Sequence, residues 1–213
     1  MISAFLFLLL ARQDISREAL QHAQTGIEAQ KQGRLDAAIA EFRTVTELEP
    51  KLAAAFVNLG AVYLEKRDYG AAIPPLRRAL ELNPSLIGAD QMLGYALLAQ
   101  GYAAEAIPHL ERAHDQEALG IAQLETGKLS EAIVNLQSAA DKHPNDPDVL
   151  YYLGRVCGLM SQQAFDALAS AYPGSARAHQ AAGESYWALR RVPARARRSS
   201  APRLPARRNC FTP

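Results

Sequence analysis

The chain of 213 residues is poor in the residues that build sheet cores and disulfide frameworks. Aromatic residues make up 7% of it, with a single tryptophan, and there are only two cysteines, Cys157 and Cys210. Two cysteines cannot form the set of bridges that holds a small secreted domain together. Because 49% of the residues are hydrophobic and alanine is abundant, the composition favours closely packed helices over a sheet core.

The motifs of catalysis and cofactor binding are also missing. The sequence contains no GxxxxGK[ST], GxGxxG or GxSxG pattern, so it predicts neither a phosphate loop nor a nucleophile elbow. Its five histidines show no HxH or HxxxH spacing and have no neighbouring cysteine, which argues against a metal site. We therefore predict a protein that is not an enzyme and has no catalytic residues, no metal and no cofactor.

Acidic residues are absent from the C-terminal end. Residues 190–213 hold eight arginines, four prolines and no acid, whereas residues 1–189 hold all 22 acids against 15 basic residues, a net charge of about −7. An Arg/Pro-rich segment cannot bury enough apolar surface to become ordered, so we predict a disordered tail. We interpret it as out-of-frame translation that truncates a longer array. The alternative is a basic arm for nucleic acid, which the lack of interleaved aromatic residues disfavours.

One apolar run stands out at the other end, at residues 2–11. It is too short to span a bilayer but has the size of the hydrophobic region of a signal peptide. No Lys or Arg precedes it, and no clean A-x-A cleavage site follows. We predict that residues 1–13 are a signal-like segment and that the protein is exported or periplasmic. The alternatives are an apolar arm docked on the first helices and a cytoplasmic location, with membrane contact only through this segment if it stays uncleaved.

The chain also contains a repeated helix–turn–helix unit, which is clearest in residues 53–84. Two stretches with apolar residues at helical spacing flank a polar turn there. Gly60 lies within the first stretch, where glycine costs about 1 kcal/mol relative to alanine. We therefore expect Gly60 to permit a close approach of the two helices, opposite Ala72. A hairpin this small cannot bury its apolar face alone, so it needs neighbours.

The same unit recurs along the chain. Glycines at positions 26, 60, 94, 120, 154 and 183 are separated by 34, 34, 26, 34 and 29 residues. Small or apolar residues follow the first four glycines at fixed offsets: Ala38, Ala72, Ala106 and Ala132, then Phe42, Leu76, Leu110 and Leu136, then Val45, Ala79, Ala113 and Ala139. In these residues, and in Pro50, Pro84 and Pro144, the sequence resembles the tetratricopeptide repeat family, including its bacterial exported scaffolds. The resemblance covers about residues 19–187.

The resemblance implies an all-α solenoid, a right-handed superhelix of antiparallel helix pairs, over residues 14–189. We predict five helix pairs and one unpaired last helix, with residues 161–171 as the second helix of the fifth pair. The interval between Gly94 and Gly120 lacks eight residues. Either a tight turn at residues 114–116 joins two shortened helices there, or they fuse into one. We favour the turn, because Asp115 can cap a helix start.

The family's concave surface is built mainly from first helices, and the resemblance therefore implies a groove here. The family's carboxylate clamp is not expected, because positions equivalent to Asn58 hold Gln24, Met92, Ala118 and Tyr152. The predicted groove residues are Val57, Asn58, Ala61, Leu64, Gln91, Met92, Tyr95, Leu98, Tyr151, Tyr152 and Arg155.

An apolar, tyrosine-bearing groove suits a helix or an extended segment of another protein. The predicted function is a non-catalytic scaffold that binds a protein or peptide through this groove. One alternative is the repeat domain of a larger cell-envelope enzyme or assembly factor of the glycosyl-transfer type. The other alternative is a nucleic-acid binder that uses the basic tail. Each predicted groove residue, taken singly, is equally compatible with a role in packing the first helices together.

Overall fold

The computed structural model describes residues 15–191, with side chains up to residue 183. The predicted export segment (1–13) and nearly all of the Arg-rich tail lie outside the described residues and stay predictions. Within residues 15–191 every regular element is a helix, which confirms the all-α prediction. In chain order the helices are α1 (Arg17–Lys31), α2 (Leu35–Leu48), α3 (Ala53–Glu65), α4 (Tyr69–Leu82), α5 (Ile87–Ala99), α6 (Ala103–Ala113), α7 (Gln116–Glu125), α8 (Leu129–Lys142), α9 (Pro147–Ala171) and α10 (Ala176–Arg191).

Helices α1–α8 form four hairpins, and each hairpin contacts the next along the chain. Each turn contains one residue in the left-handed region, seven positions after the glycine that marks the repeat. These residues are Gly33, Arg67, Gly101 and Gly127, with φ of 71°, 63°, 82° and 77°. Three of the four are glycine, which adopts this conformation without the steric penalty of a Cβ atom. The repeated turn therefore returns the chain antiparallel at the same point of every hairpin.

The marker glycines let the two helices of a hairpin nest. A Cβ atom built on Gly60 would lie 2.5 Å from Cγ of Leu76, and one built on Gly94 would lie 2.6 Å from Cδ2 of Leu110. Gly120 stands in the same relation to Leu136, at 2.7 Å from Cγ. The closest neighbour of Gly60 is thus Leu76, sixteen residues later, and not Ala72, the residue expected opposite, which is also fully buried on α4. The leucine branches occupy the volume that a side chain would need.

The shortened interval contains a turn and not a fused helix. His114 adopts the left-handed region at φ 53° and ends α6. Asp115 then caps α7, since its Oδ1 accepts a hydrogen bond from the Ala118 amide at 3.1 Å. Its Oδ2 accepts a second one from Gln91 Nε2 at 2.9 Å. The favoured alternative was therefore correct, and a side chain of α5 helps to hold the turn.

The predicted fifth pair was wrong. Residues 147–171 form one continuous helix of 25 residues, α9, where we expected a turn before residue 161. The residue seven positions after Gly154 is Ser161, and it is helical. The flanking residues, Leu-Met before it and Gln-Gln-Ala after it, are good helix formers that provide no glycine for a left-handed turn. The described chain thus contains four hairpins, the long α9 and α10.

One continuous apolar core runs through the four hairpins into the start of α9. Phe42, Leu76, Leu93, Leu110 and Leu136 are each at most 1% exposed and belong to the same cluster. In α9 the buried residues are Val149, Tyr152 and Val156, all in its first half. That half therefore packs on α8 as a first helix should, and no residue of the second half is buried.

Candidate functional site

The predicted groove residues lie along the first helices of three hairpin positions, on α3, α5 and α9. Most of them are half-buried, and Tyr151 is exposed by 56%. Leu98 and Tyr152 are the least accessible of the predicted residues, since they are 5% and 2% exposed and belong to the apolar core. The first helix of each following repeat covers part of the preceding one, so residues near these contacts lose access to solvent.

The predicted residues differ in their surroundings. Asn58 lines a small apolar cavity of about 30 Å³ between α1, α2 and α3. Leu98 and Tyr152 instead line a second and larger pocket of about 390 Å³, far along the solenoid. Gln91 is engaged in the turn at Asp115, and Tyr95 packs edge-on against Tyr69 with ring centroids 5.8 Å apart.

The larger pocket lies where the first helices of three successive repeats meet. We call it the inter-repeat pocket. The ends of α5 and α7 form two of its walls, the turn into α6 forms a third, and α9 closes it with a tyrosine. Gly101, in the left-handed region at φ 82°, reverses the chain so that two small alanines of α6 face the cavity and leave it open. The lining residues are Leu98, Ala99, Gly101, Ala103, Ala104, Ile121, Glu125, Thr126 and Tyr152.

Two of the lining residues, Glu125 and Tyr152, have polar or aromatic neighbours outside the pocket lining, Arg155 and Tyr151. Arg155 Nη1 donates to Glu125 Oε1 at 3.2 Å, and the two side chains are 35% and 37% exposed. The Arg155 guanidinium carbon lies 6.0 Å from the Tyr151 ring centroid and 5.9 Å from that of Tyr152. Burial raises the pKa of the Tyr152 phenol, so this hydroxyl stays neutral at physiological pH. The pocket thus combines an apolar floor with a neutral hydroxyl and a paired carboxylate.

A second polar cluster, formed by Asp90, His109 and Arg112, joins α5 to α6. Asp90, on α5, is 2% exposed and accepts hydrogen bonds from His109 Nδ1 at 2.7 Å and from Arg112 Nε at 3.0 Å and Nη2 at 2.6 Å. Burial acts to raise the pKa of Asp90, but the bonds from Arg112 and His109 outweigh it and lower the pKa below its ordinary value. The first repeat has the reverse pair, His22 and Glu41, 2.6 Å apart at the same repeat positions.

The inter-repeat pocket has the size of a ligand cleft. A volume of about 390 Å³ lies within the roughly 300–1,000 Å³ of ligand clefts, which are mostly apolar with a few placed polar groups.

No group of His, Cys, Asp and Glu among the described residues could hold a metal ion. None of the helices within residues 15–191 combines the length and apolar character needed to cross a bilayer.

Sequence reasoning predicted two of the nine lining residues, Leu98 and Tyr152, and missed the other seven, which include Ile121, Glu125 and Thr126. The signal was present in the repeat register, because Ile121 follows Gly120 as Ala61, Tyr95 and Arg155 follow their own glycines. Carrying that register into the fourth repeat would have added Ile121 to the groove. It would not have located the pocket, which depends on how closely the first helices approach one another.

The comparisons with known proteins agree with this architecture. The tetratricopeptide repeat family model matches residues 24–87 and 117–157. The structure of MamA from Desulfovibrio magneticus RS-1 superposes with a TM-score of 0.65 at 17% identity, over 83% of this chain and 96% of that one. YrrB superposes with a TM-score of 0.62 at 21% identity, over 78% of this chain and 92% of that one. At these identities the likeness concerns the fold alone. A search of curated proteins found no matching sequence.

Proposed function

Because this chain is a tetratricopeptide repeat protein, we propose that it is a non-catalytic scaffold that holds a segment of another protein. The inter-repeat pocket receives an apolar side chain of that segment. The fold provides a rigid array of first helices, and sites are added to such a scaffold by the residues that line it.

The pocket itself is the observation that supports this proposal. Leu98, Ala103 and Ile121 offer an apolar floor large enough for a leucine or aromatic side chain, the kind of anchor that dominates binding energy at interfaces. Glu125 and Arg155 lie beside it and are about one-third exposed, so they can hydrogen-bond the backbone of a bound segment. YrrB, which shares the fold, is described as a TPR protein with an unusual peptide-binding site.

A variant that fills the pocket should abolish this binding. Ala104 lines the pocket and is exposed at the start of α6. We expect Ala104→Phe to raise the dissociation constant at least tenfold, a loss of about 1.4 kcal/mol, because the ring occupies the volume of the ligand's anchor. The probes are peptides selected from a random displayed library against the full chain, with affinities measured by fluorescence anisotropy.

Ser130→Phe is the matched control, since Ser130 holds the same repeat position in the next hairpin, is exposed and does not line the pocket. We expect it to bind the selected peptides as the parent chain does. Equal affinities for the parent chain and Ala104→Phe would remove the pocket from the proposal. Tyr152→Ala is not a useful test, because the buried ring belongs to the core and its loss would weaken folding.

A further inference from the structure

The first half of α9 has an uncovered face. In the three preceding repeats, a Cβ atom on the marker glycine would lie within 2.7 Å of the leucine sixteen residues later. At Gly154, apart from the adjoining residues and the backbone of α9 itself, no described atom lies within 4 Å of that position. Cys157, three residues on, is exposed as well. This is the face that the second helix covers in every earlier hairpin.

Residues 161–171 keep the sequence pattern of a second helix, although they do not fold back to cover the first half of α9. Ala164, Leu168 and Ala171 repeat the spacing of Ala132, Leu136 and Ala139, the residues with which α8 covers α7. The three residues of α8 are at most 3% exposed. In α9, by contrast, Ala164 and Ala171 are exposed and Leu168 is only half-buried. Gly154 and Leu168 lie on one straight helix about 21 Å apart at 1.5 Å per residue, so they cannot meet within one chain.

The turn that would close this hairpin has been shortened. Leucine follows the marker glycine by sixteen residues in three repeats, but Leu168 follows Gly154 by fourteen. The position that adopts the left-handed region in the other four turns is Ser161, which is helical here. A hinge that is too short to reverse the chain favours exchange of the following element between two copies.

We propose that this protein forms a dimer by exchanging the second half of α9. The two α9 helices lie antiparallel about a twofold axis near Ser161, and residues 161–171 of each copy cover the open face of the other. Gly154 and Leu168 are both seven residues from Ser161, so each glycine receives the leucine of the second copy. Leu150 and Tyr172, 48% and 66% exposed, are both eleven residues away and are brought together in the same manner.

A disulfide tests this arrangement directly. Cys157 and Phe165 are each four residues from Ser161, so Cys157 of one copy should face position 165 of the other. In the full chain with Cys210→Ser, we expect Phe165→Cys to give a covalent dimer with two bridges after mild oxidation, measured by non-reducing electrophoresis and mass spectrometry. Within one straight helix the two thiols are about 12 Å apart along the axis, too far to bridge.

Two results would overturn the proposal. A monomer with an internal bridge would mean that the hairpin closes within one chain, and free thiols would mean that the face is open or covered by something else. Cys210→Ser without the second cysteine is the control and should stay monomeric under denaturing, non-reducing conditions. Its Cys157 residues lie about 12 Å apart along the antiparallel pair.

Restoring the loop length provides a second, independent measurement. We expect the full chain to have twice the 23.2 kDa of one chain by light scattering. Insertion of Asn-Gly between Met160 and Ser161 should convert it to a monomer with the same helical content, because the hairpin can then close. The same insertion between Gly174 and Ser175 is the control and should leave the dimer intact. A monomeric parent chain, or a dimer that survives the insertion at 160, would contradict the exchange.

Discussion

Replacing Gly94 by leucine is expected to lower the free energy of unfolding by about 3 kcal/mol, the upper end of the usual cost of overpacking a core. A Cβ atom at Gly94 would lie 2.6 Å from Leu110 Cδ2, 2.7 Å from its Cγ and 3.4 Å from its backbone nitrogen. Leu110 is fully buried, so it has no solvent-filled volume into which it could move. The gain in helix propensity over glycine, about 0.8 kcal/mol, does not offset this clash. Urea unfolding followed by circular dichroism measures the difference.

Gly88 provides the control on the same helix. It is exposed, and apart from the adjoining residues and the backbone of α5 itself, no described atom lies within 4 Å of its Cβ position, so Gly88→Leu should leave stability unchanged or slightly higher. Leu110→Ala alone should cost about 2–5 kcal/mol. Combined with Gly94→Ala it should cost less than the sum of the two single changes, because the added methyl fills part of the cavity. Equal stability of Gly94→Leu and Gly88→Leu would show that the helices do not nest at this point.

Removal of both partners of Asp90 is expected to cost about 3 kcal/mol at pH 7, the size found when a buried charge loses its counter-charge. His109→Ala/Arg112→Ala leaves a carboxylate that is 2% exposed with neither of these donors. Arg77→Ala is the control, since it breaks an ion pair with Glu105 in which both side chains are more than half exposed. Such a surface pair contributes about 0–1 kcal/mol.

The pH dependence of this loss distinguishes charge from packing. In the parent chain the pKa of Asp90 is lowered, so its contribution to stability is present above the unfolded pKa of about 3.9 and is lost as the pH falls through the folded pKa. In the double variant only burial is left to act on Asp90, and burial raises the pKa of a carboxyl group. Protonation then favours the folded variant, and the deficit against the parent chain should shrink at acidic pH. An equal deficit at pH 7 and pH 4 would mean that lost packing explains the effect.

Most of the fold could be predicted because it depends on local spacing. The 34-residue period separates successive marker glycines in three of the five intervals, and the turn at Asp115 follows from the capping chemistry of that residue. The fifth hairpin was predicted wrongly because Ala164, Leu168 and Ala171 keep the spacing of a second helix. That spacing does not reveal whether the preceding turn can close. Closure is prevented by the loss of two residues from the turn and by the serine at the position that is left-handed in the other turns.

The candidate site was less predictable than the fold. Helical spacing identified Leu98 and Tyr152 as groove residues, but whether such a side chain is exposed depends on how closely the next first helix approaches. The buried Asp90 was missed for a related reason. It holds the position that Phe56 occupies in the preceding repeat, and an acid at an apolar repeat position is the signal that could have identified its partners on α6.

The binding proposal and the exchange proposal concern neighbouring parts of the molecule. Tyr152 closes the inter-repeat pocket from the first half of α9, which is packed on α8. The exchange involves the opposite side of that half, at Gly154 and Cys157. A monomeric variant that still binds the selected peptides would therefore separate the two proposed roles of α9.

Methyl NMR of the full chain during titration with a selected peptide tests the location of binding most directly. Ile121 lines the inter-repeat pocket, whereas Ile39 lies in the same apolar core on α2, in the first hairpin. We predict that the Ile121 methyl resonances shift in proportion to peptide occupancy while those of Ile39 do not move. Shifts at Ile39 with Ile121 unchanged would place the ligand at the first hairpin and contradict the account.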